Sequence, residues 1–169
     1  SLFHGGVNHP LWAGFYDNGI SKIETSSSIR RFGTEIGLNQ PITDIIRFIG
    51  IIYISTMNCV FYLHHDALGM PVLHQVKNLT GTVWSLIEFR PPSGRPMLLA
   101  GSYMDGLFEI KDYRAHGITK IFSDRVATVQ HNIYSLYQSD SNPETLYLGL
   151  KDNLAALTWT PRGWKSKTD

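Results

Sequence analysis

The chain has 169 residues, of which 43% are hydrophobic and 17% charged, the balance of an ordinary globular protein and one that excludes disorder. A formal net charge of +1 supplies no concentrated basic surface, so composition points away from nucleic acid and anionic membrane as partners. The single cysteine, Cys59, excludes an internal disulfide and a multi-cysteine zinc site. The most apolar stretch, Ile45–Ser55, contains Arg47 and is far shorter than the roughly 20 apolar residues of a membrane helix.

Four units follow one another along the chain, approximately 1–37, 38–80, 81–128 and 129–169. In the first, Leu11–Ile23 reads as an apolar run ending at Gly14, a polar turn at Asp17-Asn18-Gly19, and a returning apolar run, which is a β-hairpin signature. Only Ser1–His4 is available as a strand before it, and Ile29–Phe32 is expected to follow as a short polar strand; the N-terminus reads as cut within a blade. The second unit has Thr43–Phe48, the hairpin Ile52–Leu63 and then Val72–Val76. The third has Thr82–Ile87, the hairpin Leu98–Ile110 and then Thr119–Phe122, and the fourth Asn132–Tyr137, the hairpin Leu146–Leu157 and then Gly163–Ser166.

The small residues that close the first hairpin runs, Gly14, Ser55, Gly101 and Gly149, recur at intervals of 41, 46 and 48 residues, within the roughly 40–50 residue period of propeller blades. β-Branched and aromatic residues fill the runs while Gly, Pro, Asn and Asp separate them, so no helix is predicted. The expected fold is all-β: about four four-stranded antiparallel blades of a β-propeller, as a fragment of a larger one or an open arc. A β-sandwich has no reason to repeat one hairpin in register. A closed ring would require the N-terminal strand to complete the last blade.

The plan of apolar residues, Gly, two or three variable residues, Asp or Asn, Gly and an apolar residue is clearest in Leu11–Ile20 and Leu99–Leu107. It resembles the two-component regulator propeller repeat. Asn58-Cys59 and Asp152-Asn153 depart from that plan by lacking the turn glycine, although Asn tolerates the left-handed conformation. The resemblance implies the extracytoplasmic, periplasmic sensor part of a bacterial hybrid histidine kinase or related regulator. It also implies further blades and signalling modules as partners, a homodimer, and in several members a response to glycans.

Turn-forming Asp17, Asp105 and Asp152 repeat from unit to unit, which marks them as structural. His64-His65-Asp66 suggests a metal, but neighbouring strand residues face opposite sides, so His64 keeps only Asp66 and no metal site is predicted. No phosphate-cradling glycine loop, zinc helix or nucleophile elbow occurs, and no cofactor or catalytic residue is assigned. A propeller glycosidase or lyase would need scattered acids such as Asp44, Glu88 and Asp105 to converge.

The hairpin turns and the loops entering the innermost strands are expected to share one rim. That rim offers Phe15, Tyr16, Met57, Asn58, Tyr103, Met104, Lys151 and Asn132 as ligand-binding candidates, a mixture suited to stacking on, and hydrogen bonding to, an oligosaccharide or other small ligand. Packing of these aromatics on neighbouring turns is the competing reading, and a protein-interaction scaffold the competing function. Trp12, Trp84, Trp159 and Trp164 are expected to pack between blades, and Asn78-Leu79-Thr80 matches a glycosylation triplet that bacteria would leave silent.

Overall fold

The computed structural model describes residues 2–4, 11–16, 19–23, 30–118 and 132–166. Strands β1 (Leu2–His4), β2 (Leu11–Phe15), β3 (Gly19–Ile23) and β4 (Arg30–Phe32) pair in chain order as the first blade. Strands β5 (Ile42–Phe48), β6 (Ile51–Thr56), β7 (Cys59–His65) and β8 (Pro71–Thr80) make the second, and β9 (Val83–Phe89), β10 (Met97–Ser102), β11 (Gly106–Lys111) and β12 (Arg114–Gly117) the third. The fourth contains β13 (Ile133–Gln138), β14 (Thr145–Leu150), β15 (Leu154–Thr160) and β16 (Gly163–Ser166). Each blade is an antiparallel meander, and the innermost strands of successive blades pack on one another, β1 on β5, β5 on β9 and β9 on β13. This is a segment of a β-propeller. The N-terminal strand pairs with β2 in its own blade, so it does not complete the last one.

The core lies between blades, and strand alternation assigns each side chain to one interface or the other. Ile52, Ile54 and Leu63 meet Trp12 and Ile20 of the first blade. On the opposite face of the same blade, Tyr53 and Val60 meet Leu86, Leu98 and Ala100 of the third. Met97, Leu99 and Leu107 then meet Leu146, Leu148 and Leu157 of the fourth. Because β6 and β10 are covered on both faces, they read as unbroken apolar runs. Gly101 has its own reason: a Cβ there would stand 2.6 Å from Ile133 Cγ2, so only glycine lets β13 approach this closely.

Two expectations are corrected. The outer strand of the third blade is Arg114–Gly117, reached by a tight turn in which Asp112 and Tyr113 have φ of 50° and 60°; the predicted Thr119–Phe122 lies outside the described residues, as do Asp17 and Asn18. The second outer strand is not short, because β8 runs ten residues and bulges outward between its pairings with Phe61 and Cys59. That bulge carries Lys77, whose N–H donates to Tyr113 O at 3.0 Å, and brings β8 beside β12 in a parallel contact. One 3₁₀ turn, Thr34–Ile36, joins the first two blades, and there is no α-helix among the described residues.

The two hairpin turns without glycine do not use the left-handed conformation: none of Met57, Asn58, Cys59, Asp152 or Asn153 has positive φ. In the second blade Thr56 does the work instead. Its hydroxyl accepts the N–H groups of Asn58 and Cys59 at 3.2 and 3.1 Å and donates to Cys59 O at 2.9 Å, closing the turn through a side chain.

Candidate functional site

The start of each innermost strand pairs with the end of the second strand beside its turn: Ile42 with Thr56, Val83 with Ser102 and Ile133 with Leu150. The turns and the strand entries therefore share one rim, the arrangement expected from sequence. At the same place in all three blades the register shifts by one residue, and the residue left over is Thr43, Trp84 or Tyr134. A bulge removes its extra residue from the regular alternation and re-aims the side chain. The repeated element is thus aligned on Thr43, Trp84 and Tyr134; taking Thr43, Thr82 and Asn132 as equivalent starts misses this register.

Two of the bulged residues are aromatic and adjacent. Trp84 and Tyr134 stack with ring centroids 6.1 Å apart and planes inclined by 22°. Tyr103, from the turn of the third blade, meets Tyr134 edge to face at 5.8 Å and 82°. Tyr134 and Tyr103 remain 38% and 37% exposed, so the group presents ring faces and phenol groups to solvent. Partial burial, then the Tyr103 phenol and its hydrogen bond, then the Asp152 carboxylate, all push the Tyr134 phenol upward from its ordinary pKa, keeping it a neutral donor. The Trp84 Nε1 donor is buried and has no partner. In the second blade the equivalent Thr43 is occupied structurally, donating to Val83 O and bonding Ser55 Oγ at 2.9 Å.

The predicted rim residues divide around this group. Tyr103 belongs to it, and Met104, 76% exposed, adjoins it in the same turn. Lys151 lies in the neighbouring turn of the fourth blade, exposed, beside Asp152. Phe15 and Tyr16 stand exposed at the first blade's turn; at the second's, Asn58 is exposed and Met57 half-buried, Asn58 O accepting Gly81 N–H at 2.6 Å and Met57 O the Thr82 hydroxyl at 2.8 Å. Asn132 is only 7% exposed and sits beneath the rim rather than on it. Trp84 and Tyr134 were missed. Trp12, Trp159 and Trp164 pack between blades, and Trp84, from its bulged position at the rim, stacks on Tyr134 of the next blade.

The carboxylates considered for catalysis do not converge. Asp44 stands near the rim end of β5 with both oxygens accepting backbone N–H groups, Oδ1 from Ile45 and Oδ2 from Leu86, each at 2.8 Å. Glu88 lies toward the other end of β9, paired with Arg90 at 2.9 Å, and Asp105 is in a turn of the third blade. Among the described residues no group of three or more His, Cys, Asp or Glu side chains is placed to hold a metal ion. Asp66 is engaged by its own loop, accepting N–H from Leu68 and Met70 at 2.9 and 2.8 Å.

No family model and no curated protein matches the sequence. Solved structures do resemble the fold. One, described as the extracellular domain of a hybrid two component system, BT3049, from B. thetaiotaomicron, superposes with a TM-score of 0.69 at 16% identity, covering 99% of this chain and 23% of that one. Another, described as the extracellular domain of a one component system, BT4673, from the same organism, gives 0.68 at 13% identity, covering 99% and 21%. The chain thus spans between a fifth and a quarter of those lengths and shares their blade architecture across nearly all of its own.

Proposed function

We propose that this chain is a ligand-sensing segment of an extracytoplasmic propeller in a bacterial two-component-type signalling protein, and that its ligand is an oligosaccharide held on the rim. The likeness to two extracellular signalling domains supports the sensory part. The observation that carries the ligand part is the pair of bulges aiming Trp84 and Tyr134 onto the rim beside Tyr103. Ring faces bind the apolar faces of pyranoses, while phenols and a carboxylate satisfy hydroxyl groups. The remaining blades and signalling modules would lie in a longer chain, consistent with Tyr137, 53% exposed and stacked on Tyr147 at 6.4 Å on the fourth blade. These rings occupy the positions that Ile46 and Tyr53, or Ile87 and Leu99, fill at the interfaces within this segment.

Titration of the protein with a panel of neutral and uronate-containing oligosaccharides, followed by calorimetry and tryptophan fluorescence, tests the reading. At least one glycan is expected to bind and perturb the fluorescence, and Trp84→Ala or Tyr134→Ala to weaken it by roughly two- to tenfold, since stacking of a ring contributes about 0.5–1.5 kcal/mol. Binding that survives both substitutions would remove the rim group from the site.

A further inference from the structure

We propose that the outer edge of the second blade carries a two-histidine site for a divalent first-row transition cation such as Zn²⁺ or Ni²⁺, formed by His64 on β7 and His74 on β8. In the antiparallel pairing His74 is opposite Tyr62, and His64, two residues after Tyr62, is opposite Val72, so the two imidazoles stand diagonally on one face of the sheet. Their ring centroids are 6.3 Å apart and their planes inclined by 60°. With metal–nitrogen bonds of about 2.0–2.1 Å, two neighbouring imidazoles on one ion have centroids roughly 4.5–5.5 Å apart. Both side chains are exposed, so small side-chain rotations close the difference without moving the backbone.

The surroundings restrict one of the two rings in advance. His74 stacks on Tyr62 at 5.3 Å and 24°, and Tyr62 in turn stacks on Tyr113 at 4.3 Å and 26°. Tyr113 is held there by a turn whose two central residues both adopt positive φ and whose carbonyl accepts Lys77 N–H. A positive φ at a bulky residue is uncommon, and here it sets the ring that backs the His74 stack. A ring packed on one face keeps its edge, with both nitrogens, available for coordination, and imidazole is a preferred ligand for these ions. Water would complete the coordination, because Asp66 is committed to its own loop. A bound ion would fasten β8 to β7 beside the β8–β12 contact that joins the second and third blades.

Seven histidines occur in the chain, and the sequence neighbour His65 provides the internal control, since it points to the opposite face. The metal-free protein is titrated with ZnCl₂ and separately with NiCl₂ by calorimetry, with histidine ring NMR signals followed in parallel and circular dichroism used to confirm that each variant is folded. The wild type and His65→Ala are expected to bind one ion and to shift the His64 and His74 resonances; His64→Ala and His74→Ala are expected to abolish this. Tyr113→Ala, which removes the stack but neither ligand, should weaken binding. Absence of binding to the wild type, or binding retained in both the His64 and His74 variants, would overturn the proposal.

Discussion

Tyr53 shows how a single side chain in the core couples this fold to pH. It is buried between the second and third blades, and burial first, then the nearby Tyr113 and Tyr62 phenols, push its pKa from 10.0 up to about 12. A proton held more tightly in the folded state stabilises that state fully below the unfolded value. The contribution is lost as pH rises through the folded one. We expect the urea midpoint of the wild type to fall between pH 10 and 12 by more than that of Tyr53→Phe, the difference approaching about 2–3 kcal/mol from a two-unit shift. Equal falls would show that Tyr53 ionises as an exposed phenol does.

Residues were read well where alternation governs them and poorly where it is broken. Trp12 was legible as core because β2 pairs with β3 without a register shift, and it packs against the second blade. Trp84 and Tyr134 were not, because a bulge depends on how two strands register and leaves no mark in composition. The signal available was the recurrence of Asp44, Ser85 and Ser135, each followed by an aliphatic residue, which aligns the three preceding residues. His74 was invisible as a neighbour of His64 for a related reason: ten residues separate them, and only strand pairing brings them together.

At the scale of elements, the residue after the bulge reaches across to the next blade in both the second and the third blade. Asp44 Oδ2 accepts Leu86 N–H at 2.8 Å, and Ser85 Oγ accepts Leu136 N–H at 3.2 Å, so the innermost strands are laced in succession. The serine shows that a hydroxyl suffices at this position, whereas the carboxylate carries a burial cost: burial raises the Asp44 pKa above 3.8, opposed by the Leu86 and Ile45 N–H groups. Asp44→Ala leaves backbone donors unsatisfied and should cost about 1–3 kcal/mol; Asp44→Ser should cost less. Because the folded-state pKa is raised, the Asp44 contribution is fully present below about pH 4 and declines as pH rises through the folded value. The wild type should therefore gain on Asp44→Ser as neutral solution is acidified, by chemical denaturation measured across that range. A wild type that loses ground instead would mean the N–H bonds outweigh burial.

Strand existence and order were legible from the hairpins, since Gly14, Ser55, Gly101 and Gly149 each stand within or at the end of a second strand. The third outer strand was misplaced. The short, polar strand expected at Thr119–Phe122 lies outside the described residues, while the equally short and polar Arg114–Gly117 is recruited by the Asp112-Tyr113 turn. Tertiary pairing there overrides local propensity.

For the molecule as a whole, one rule of construction repeats: β6 and β10 are each shared between two interfaces, and β5 is laced to β9 as β9 is to β13. Inner-strand packing then sets consecutive rims side by side, which is how side chains from the third and fourth blades come together as Trp84, Tyr103 and Tyr134. The most direct test is a crystal structure of the protein soaked with the oligosaccharide that binds it most tightly. The account predicts a sugar ring against the Trp84 and Tyr134 faces, within hydrogen-bonding reach of Tyr103 or Asp152. Density for the sugar at the opposite end of the blades, beside Arg90 and Gln138, would contradict it.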